Sequence, residues 1–305
     1  MRSSKGGSSS SKTTLIRSVF FFIGICVMIY ILSNVKADSW EFDSVETTTN
    51  NVQLSDQRGE NIEISFHPES TTGEVINHKH YTLSYHEEHE QAEWVAYKLT
   101  KDNLRKPRVK RAKKFSQDKS VSTLSAKHND YSHSGYTRGH LAPAGDMAFS
   151  QEAMRESFYM SNMSPQLKEF NGGIWRELEE TVRNWADDND ELYIVTGPII
   201  KDNVEYKKIG YNEVSVPHQF FKIILDLKLP EQKAIAFLMP NEKSEKRISE
   251  YIVSIDELEA LTGINFFAGF LPLELEEELE KKGNLKQWKF EEAKYRKRIE
   301  KWNNY

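Results

Sequence analysis

The sequence holds one cysteine, Cys26, so an intramolecular disulfide is excluded, and so is a zinc site built from cysteines. Positive charge is not in excess. The formal net charge is −5, so the chain as a whole is no polycation that would coat nucleic acid by bulk attraction. Any surface for a polyanion must come from local clustering of Lys and Arg. Internal repeats are absent, and the most apolar run, Val19 to Leu32, falls short of the roughly 20 residues that cross a bilayer. What remains is a chain of 305 residues, 38% hydrophobic and 29% charged, enough for one large core or two small ones.

The N-terminus has its own character. Arg2, Lys5, Lys12 and Arg17 precede the apolar run without an acidic residue, and Gly6 to Ser11 is a flexible Gly/Ser tract. Extending the run from Leu15 to Val35 makes a span if Arg17 snorkels toward the headgroups. That reading gives an uncleaved anchor, basic end inside and body outside. The alternative is a signal peptide cut after Ala37, where Val35 and Ala37 are suitably small but Lys36 is unusual. Both place the body in the cell envelope or outside the cell. A mitochondrial presequence ranks third, since the start is Ser-rich but poor in Arg.

The expected organisation is a basic segment with anchor or signal at 1–37, a polar linker at 38–77, a folded domain at 78–272 and a charged helical extension at 273–305. Tyr81–Tyr85 and Glu93–Leu99 alternate like paired strands. Leu192–Pro198, Pro217–Leu227 and Lys233–Met239 read as further strands, and Gln151–Tyr159, Gly173–Ala186 and Asp256–Leu261 as helices, the last ended by Gly263. Strands and helices that mix without regular alternation indicate an α+β fold, a central antiparallel or mixed sheet flanked by helices. Residues 98–119 carry a run of Lys and Arg, including Arg111 and Lys113, that suits either a solvated loop or phosphate tracking.

Directly after that run comes Tyr136-Thr137-Arg138-Gly139-His140-Leu141-Ala142-Pro143. His140 sits beside a glycine that permits close backbone approach, with Arg138 on the same face if the chain is extended. A second block, Ser161-Asn162-Met163-Ser164-Pro165-Gln166, leads to Asn171, Trp175 and Glu179 at helical spacing. Asn171 could simply cap that helix. An Asn and a Glu on a face shared with Trp175 otherwise ask for polar partners or a metal. Phosphodiester hydrolysis needs an activated water, positive charge on the phosphorane oxygens and relief of charge on the leaving oxygen. A histidine supplies the first, and a hydrated divalent ion the other two.

These blocks together, YTRGHLAPAGDM, SNMSPQ and FNGGIWRELE, resemble the DNA/RNA non-specific endonuclease family over roughly residues 80–272. The resemblance implies a ββα-metal finger site and a sugar-non-specific endonuclease that cuts DNA and RNA to 5′-phosphate ends. It implies His140 as general base and Asn171 as the single protein ligand of Mg²⁺, with Mn²⁺ as a substitute. Arg138 would stabilise the phosphate and Glu179 would hold metal-bound water. Asn162 would orient the histidine through its backbone carbonyl, and an upstream Arg111 or Lys113 would contact nucleic acid. The family usually has Asp where this chain has Thr137, which opens the alternative of a degenerate, non-catalytic nucleic-acid-binding module. A homodimer or an inhibitor protein is a further possible partner, besides a membrane through the N-terminal segment.

His67, His78, His80, His86 and His89 crowd a short region, but their spacing offers no tight ligand pair beyond a weak His86/His89. His218 reads as structural, and the run Glu274 to Glu280 as a solvated face.

Overall fold

The computed structural model describes residues 66–304 apart from 72, 282 and 284, all within the unit Ile62–Tyr305. The anchor or signal segment at 1–37 lies outside the described residues. Among the described residues, no helix is long and apolar enough to cross a membrane.

Eleven strands organise the described residues: β1 (Glu74–Asn77), β2 (Thr82–His86), β3 (Gln91–Thr100), β4 (Thr137–His140), β5 (Met163–Gln166), β6 (Glu191–Pro198), β7 (Lys208–Ile209), β8 (Val214–Ser215), β9 (Gln219–Asp226), β10 (Lys233–Pro240) and β11 (Ile252–Val253). Seven of them form an antiparallel sheet in the order β1-β2-β3-β6-β9-β10-β11, while β4 pairs β5 and β7 pairs β8. The expected α+β class and its central sheet are therefore present, and the sheet is antiparallel throughout. The linker expected at 38–77 is too long. Phe66 packs among buried apolar residues, the Trp94 indole donates to the Glu69 carbonyl, and β1 pairs with β2.

Alternation along the strands feeds two cores, one on each face of the sheet. In β9, Phe220 and Ile224 face one core while Phe221, Ile223 and Leu225 face the other. Both sides being covered explains why this strand is a nearly continuous apolar run rather than a polar–apolar alternation. Lys222 breaks that run on the first face. The first core is closed by the helix Arg176–Asn189, whose stripe Leu178, Val182, Trp185 and Ala186 recurs at the period that aligns one helix face. Truncating the fully packed Trp185 to Ala would cost about 3–5 kcal/mol. The second core is closed by the helix Ile255–Thr262. Ser254 caps it, Glu257 completing the capping box, and Gly263 ends it at φ 73°.

The C-terminal extension packs on this body. Trp288 lies 4.7 Å from Trp185 between ring centroids, and the Trp185 indole donates to the Lys289 carbonyl. Arg298 is fully buried, 2.5 Å from Glu177, and its guanidinium also donates to the carbonyls of Ser244 and Lys246.

Candidate active site

Strands β4 and β5 form a short antiparallel pair in which Gly139 faces Ser164 and His140 faces Met163. Gly139 is required there, because a Cβ would lie 2.1 Å from the Gln166 side chain. His140 is only 8% exposed and its Nε2 is buried without a hydrogen-bond partner. Its ring meets Phe158 edge-on at 4.8 Å and lies 5.8 Å from Phe115. Burial, aided by the Arg111 charge, lowers its pKa to about 3, so the imidazole is neutral at pH 7.

Asn162 holds the chain that leaves His140. Its Oδ1 accepts the Ala142 N–H at 2.8 Å, its Nδ2 donates to the Ala142 and Ser157 carbonyls, and its own carbonyl accepts the Leu141 N–H at 3.0 Å. The carbonyl expected to orient the histidine thus grips the backbone one residue beyond it.

Asn171 follows the short helix Lys168–Phe170 and opens a π-turn, Asn171–Trp175, in which Gly173 leaves helical geometry at φ −102° and ψ −109°. Asn171, Trp175 and Glu179 therefore do not share the face of one regular helix, as their spacing suggested. Nor does Asn171 N-cap the helix that follows, since its own backbone is helical and its side chain turns to β4. Thr137 settles how that amide sits. The Thr137 hydroxyl donates to the Gln166 carbonyl at 2.9 Å, so it can only accept from Asn171, whose Nδ2 lies 2.9 Å away. Asn171 Oδ1 is left as the free acceptor. The oxygen donors of Asn171 and Glu179 suit a hard divalent cation such as Mg²⁺ or Mn²⁺.

Cations flank the histidine. The Arg138 guanidinium lies 5.6 Å from the centroids of both Phe115 and Tyr131, and donates to the His128 carbonyl at 2.7 Å. Arg111 is placed 5.1 Å over the other face of the cluster, on Phe158. Lys113 is exposed. Phe115 and Phe158 both contact the His140 ring, and each carries an arginine over its own ring, Arg138 and Arg111 respectively.

Beneath them is a charged layer that the sequence reading missed. Asp146 accepts from Arg183 at 2.7 Å and from the Tyr97 hydroxyl at 2.8 Å. Lys222, 1% exposed, has no hydrogen-bond partner for Nζ and sits 4.9 Å over the Trp175 ring. Burial raises the Glu179 carboxyl, against the nearby charges of Arg183, Lys222 and Arg111, and the same burial lowers the Lys222 ammonium. Arg183 could have been found one helical turn after Glu179, and Asp146 within the motif already quoted.

Of the N-terminal histidines, His78 pairs with Asp118 at 2.8 Å and His80 with Glu156 at 2.6 Å. His86 and His89 come together with Asp202, far from them in sequence. His218 meets the Tyr206 ring at a tilt, 5.4 Å between centroids.

A short antiparallel strand pair carrying a buried histidine, followed by a helical segment carrying an oriented asparagine, accompanies a large antiparallel sheet. The sequence profile of the DNA/RNA non-specific endonuclease family matches residues 58–272. The chain belongs to that family. Among its relatives, mitochondrial nuclease EXOG of Danio rerio is 38% identical over 201 residues, covering 61% of this chain and 59% of the relative. Human mitochondrial endonuclease G is 34% identical over 203 residues, covering 63% and 68%. The mitochondrial nuclease of Saccharomyces cerevisiae is 34% identical over 212 residues, covering 63% and 64%. A solved EndoG/EndoGI complex, described by its mechanism of EndoG inhibition, is similar with a TM-score of 0.61 at 33% identity, covering 66% of this chain and 88% of that one. The chain spans less than two thirds of the length of the EXOG relatives it matches. The mitochondrial relatives overturn the expectation of an envelope-anchored or exported protein.

Proposed function

We propose that the chain is a mitochondrial, divalent-metal-dependent endonuclease that hydrolyses phosphodiester bonds in DNA and RNA and leaves 5′-phosphate ends. The observation that carries this reading is the unpartnered Nε2 of His140, set among arginines, beside an Asn171 whose amide is turned by Thr137.

In this reading His140 takes the proton of the attacking water on Nε2. A depressed pKa keeps the ring neutral and able to accept; the anionic phosphate then offsets the cost of the imidazolium. Arg111 and Arg138 hold the phosphate by charge, and Lys113 adds to the tracking surface. Asn171 Oδ1 would hold the Mg²⁺ or Mn²⁺ ion. When bound, that ion neutralises charge on the phosphate and on the leaving 3′ oxygen. Glu179 orders water around it, and Asn162 keeps the chain after His140 in register.

The non-catalytic alternative rested on Thr137. Its hydroxyl is engaged in orienting Asn171, which supports catalysis instead. The EndoG/EndoGI complex supports an inhibitor protein as a partner.

Plasmid and RNA cleavage with Mg²⁺ or Mn²⁺, with and without chelator, tests the reading. We expect cleavage that the chelator abolishes, and a loss of about 10²–10⁴-fold in His140→Ala with the melting transition retained. Asn171→Ala is expected to lose activity comparably. A folded protein that does not cut under any of these metals would leave the non-catalytic module.

A further inference from the structure

We propose that the chain carries a second metal site, apart from Asn171, in which His86 Nε2, His89 Nε2 and a carboxylate oxygen of Asp202 bind a first-row transition ion, zinc foremost. His86 ends β2, His89 ends the turn Glu87–His89, and Asp202 lies in the loop that follows β6. One oxygen of Asp202 is 3.4 Å from His86 Nε2 and 4.0 Å from His89 Nε2, and the three donor atoms all lie within 4.8 Å of one another. Zinc bonds of about 2.0–2.1 Å put tetrahedral donors roughly 3.3 Å apart, so only a small closure is needed.

The second observation is His89 itself. It is 3% exposed, and its Nε2 is buried with no hydrogen-bond partner. Its Nδ1 lies 2.7 Å from the Ser215 hydroxyl. With Nδ1–H donating to Ser215, the Nε2 lone pair points at His86 and Asp202. That is the arrangement by which an outer hydrogen bond fixes the tautomer of a metal-bound histidine. The other tautomer would aim an N–H at an oxygen 4.0 Å away, beyond hydrogen-bond reach. An ion pair between His86 and Asp202 alone leaves His89 orphaned, and a metal satisfies all three.

The donor set selects the ion. Two imidazole nitrogens and one carboxylate suit zinc and its neighbours, whereas Mg²⁺ and Ca²⁺ take oxygen. A cavity of about 380 Å³ opens beside His86 and Asp202, with Glu93 and Lys201 also on its wall, and leaves room for water as a fourth ligand. Asp202 is exposed, so the ion has an entry path. Once bound, it ties the β2–β3 turn to the loop after β6. Ser215 continues inward, its carbonyl accepting from Gln91 at 2.7 Å, and Gln91 accepts from Ser164, which faces Gly139 beside His140. The site therefore braces the ends of β2, β3 and β6 that connect to the β4–β5 pair, rather than taking part in cleavage.

Calorimetric titration of the chelator-stripped full chain with Zn²⁺, in excess Mg²⁺, tests this, with Co²⁺ as a spectroscopic probe. We expect one Zn²⁺ per chain, visible absorption of a four-coordinate Co²⁺ complex, and a melting temperature raised by Zn²⁺. Asn171→Ala should leave that binding intact. His89→Ala and Asp202→Asn should abolish it, and Ser215→Ala should weaken it by about 10–100-fold. Asp202 is exposed, so its variant reads the site even if His89→Ala does not fold. Binding that survives Asp202→Asn, that disappears in Asn171→Ala, or that is absent from the parent chain overturns the proposal.

Discussion

His140 and His89 are alike in the features that burial controls. Both rings are buried, both leave Nε2 without a partner, and both have a pKa lowered chiefly by desolvation, to about 3 and about 4. They differ in their neighbours. Around His140 stand Arg111 and Arg138, held by the rings of Phe115 and Phe158. Around His89 stand His86 and Asp202. Desolvation decides that each ring is neutral, and the surrounding charge decides what the free nitrogen meets. On the proposed readings, cations suit the first to water beside an anionic phosphate, and lone pairs suit the second to a metal.

The largest break in this comparison comes from removing the cation that defines the first neighbourhood. Arg111→Ala should lower the cleavage rate about 10²–10³-fold, the range for losing one donor to developing charge. Plasmid cleavage at fixed Mg²⁺ checks it. Asp202→Asn, which alters the second neighbourhood, should stay within about twofold of the parent on the expectation that a surface change away from the site is nearly neutral. Equal losses in the two variants would mean that the two histidines serve one function.

A smaller effect sharpens the asparagine side. Thr137→Val keeps the shape but removes the hydroxyl that accepts the Asn171 amide. Losing one hydrogen bond of about 0.5–1.5 kcal/mol should reduce cleavage up to roughly tenfold and raise the Mg²⁺ concentration needed. Thr137→Ser should restore it, and a Val variant with unchanged Mg²⁺ dependence would deny Thr137 its positioning role.

Thr137 also marks where the sequence stopped being legible. The strands β2, β3, β6, β9 and β10 were readable, because each depends on local pattern, and His140 and Asn171 stood out within compact motifs. The hydrogen bond that gives Thr137 its place was not, since it depends on how β4 meets a π-turn that Gly173 makes possible. The same limit hid Lys222, which looks like a polar interruption of an apolar strand until Trp175 is packed over it. It hid Arg298 as well. A densely charged tail does not reveal that Glu177 and two backbone carbonyls take this guanidinium wholly out of water. Asp202 is the extreme case, joined to His86 and His89 only by the tertiary fold.

The smallest effect uses protons to separate the two histidines. His140 has a folded pKa of about 3 against the ordinary value of 6.5, so the unfolded chain binds its proton first as pH falls. Its contribution to stability is complete above about pH 6.5 and declines from there toward pH 3, by up to about 1.4 kcal/mol per pH unit. Urea unfolding at pH 7, 6 and 5 in chelator should therefore be flatter in His140→Ala than in the parent by one proton. His89→Ala should flatten it similarly, since that pKa falls in the same direction. Zinc distinguishes them: it needs both His86 and His89 unprotonated, so adding it should steepen the slope of the parent and of His140→Ala but not that of His89→Ala. A zinc-dependent slope that persists without His89 would place the ion elsewhere and dissolve the contrast between the two sites.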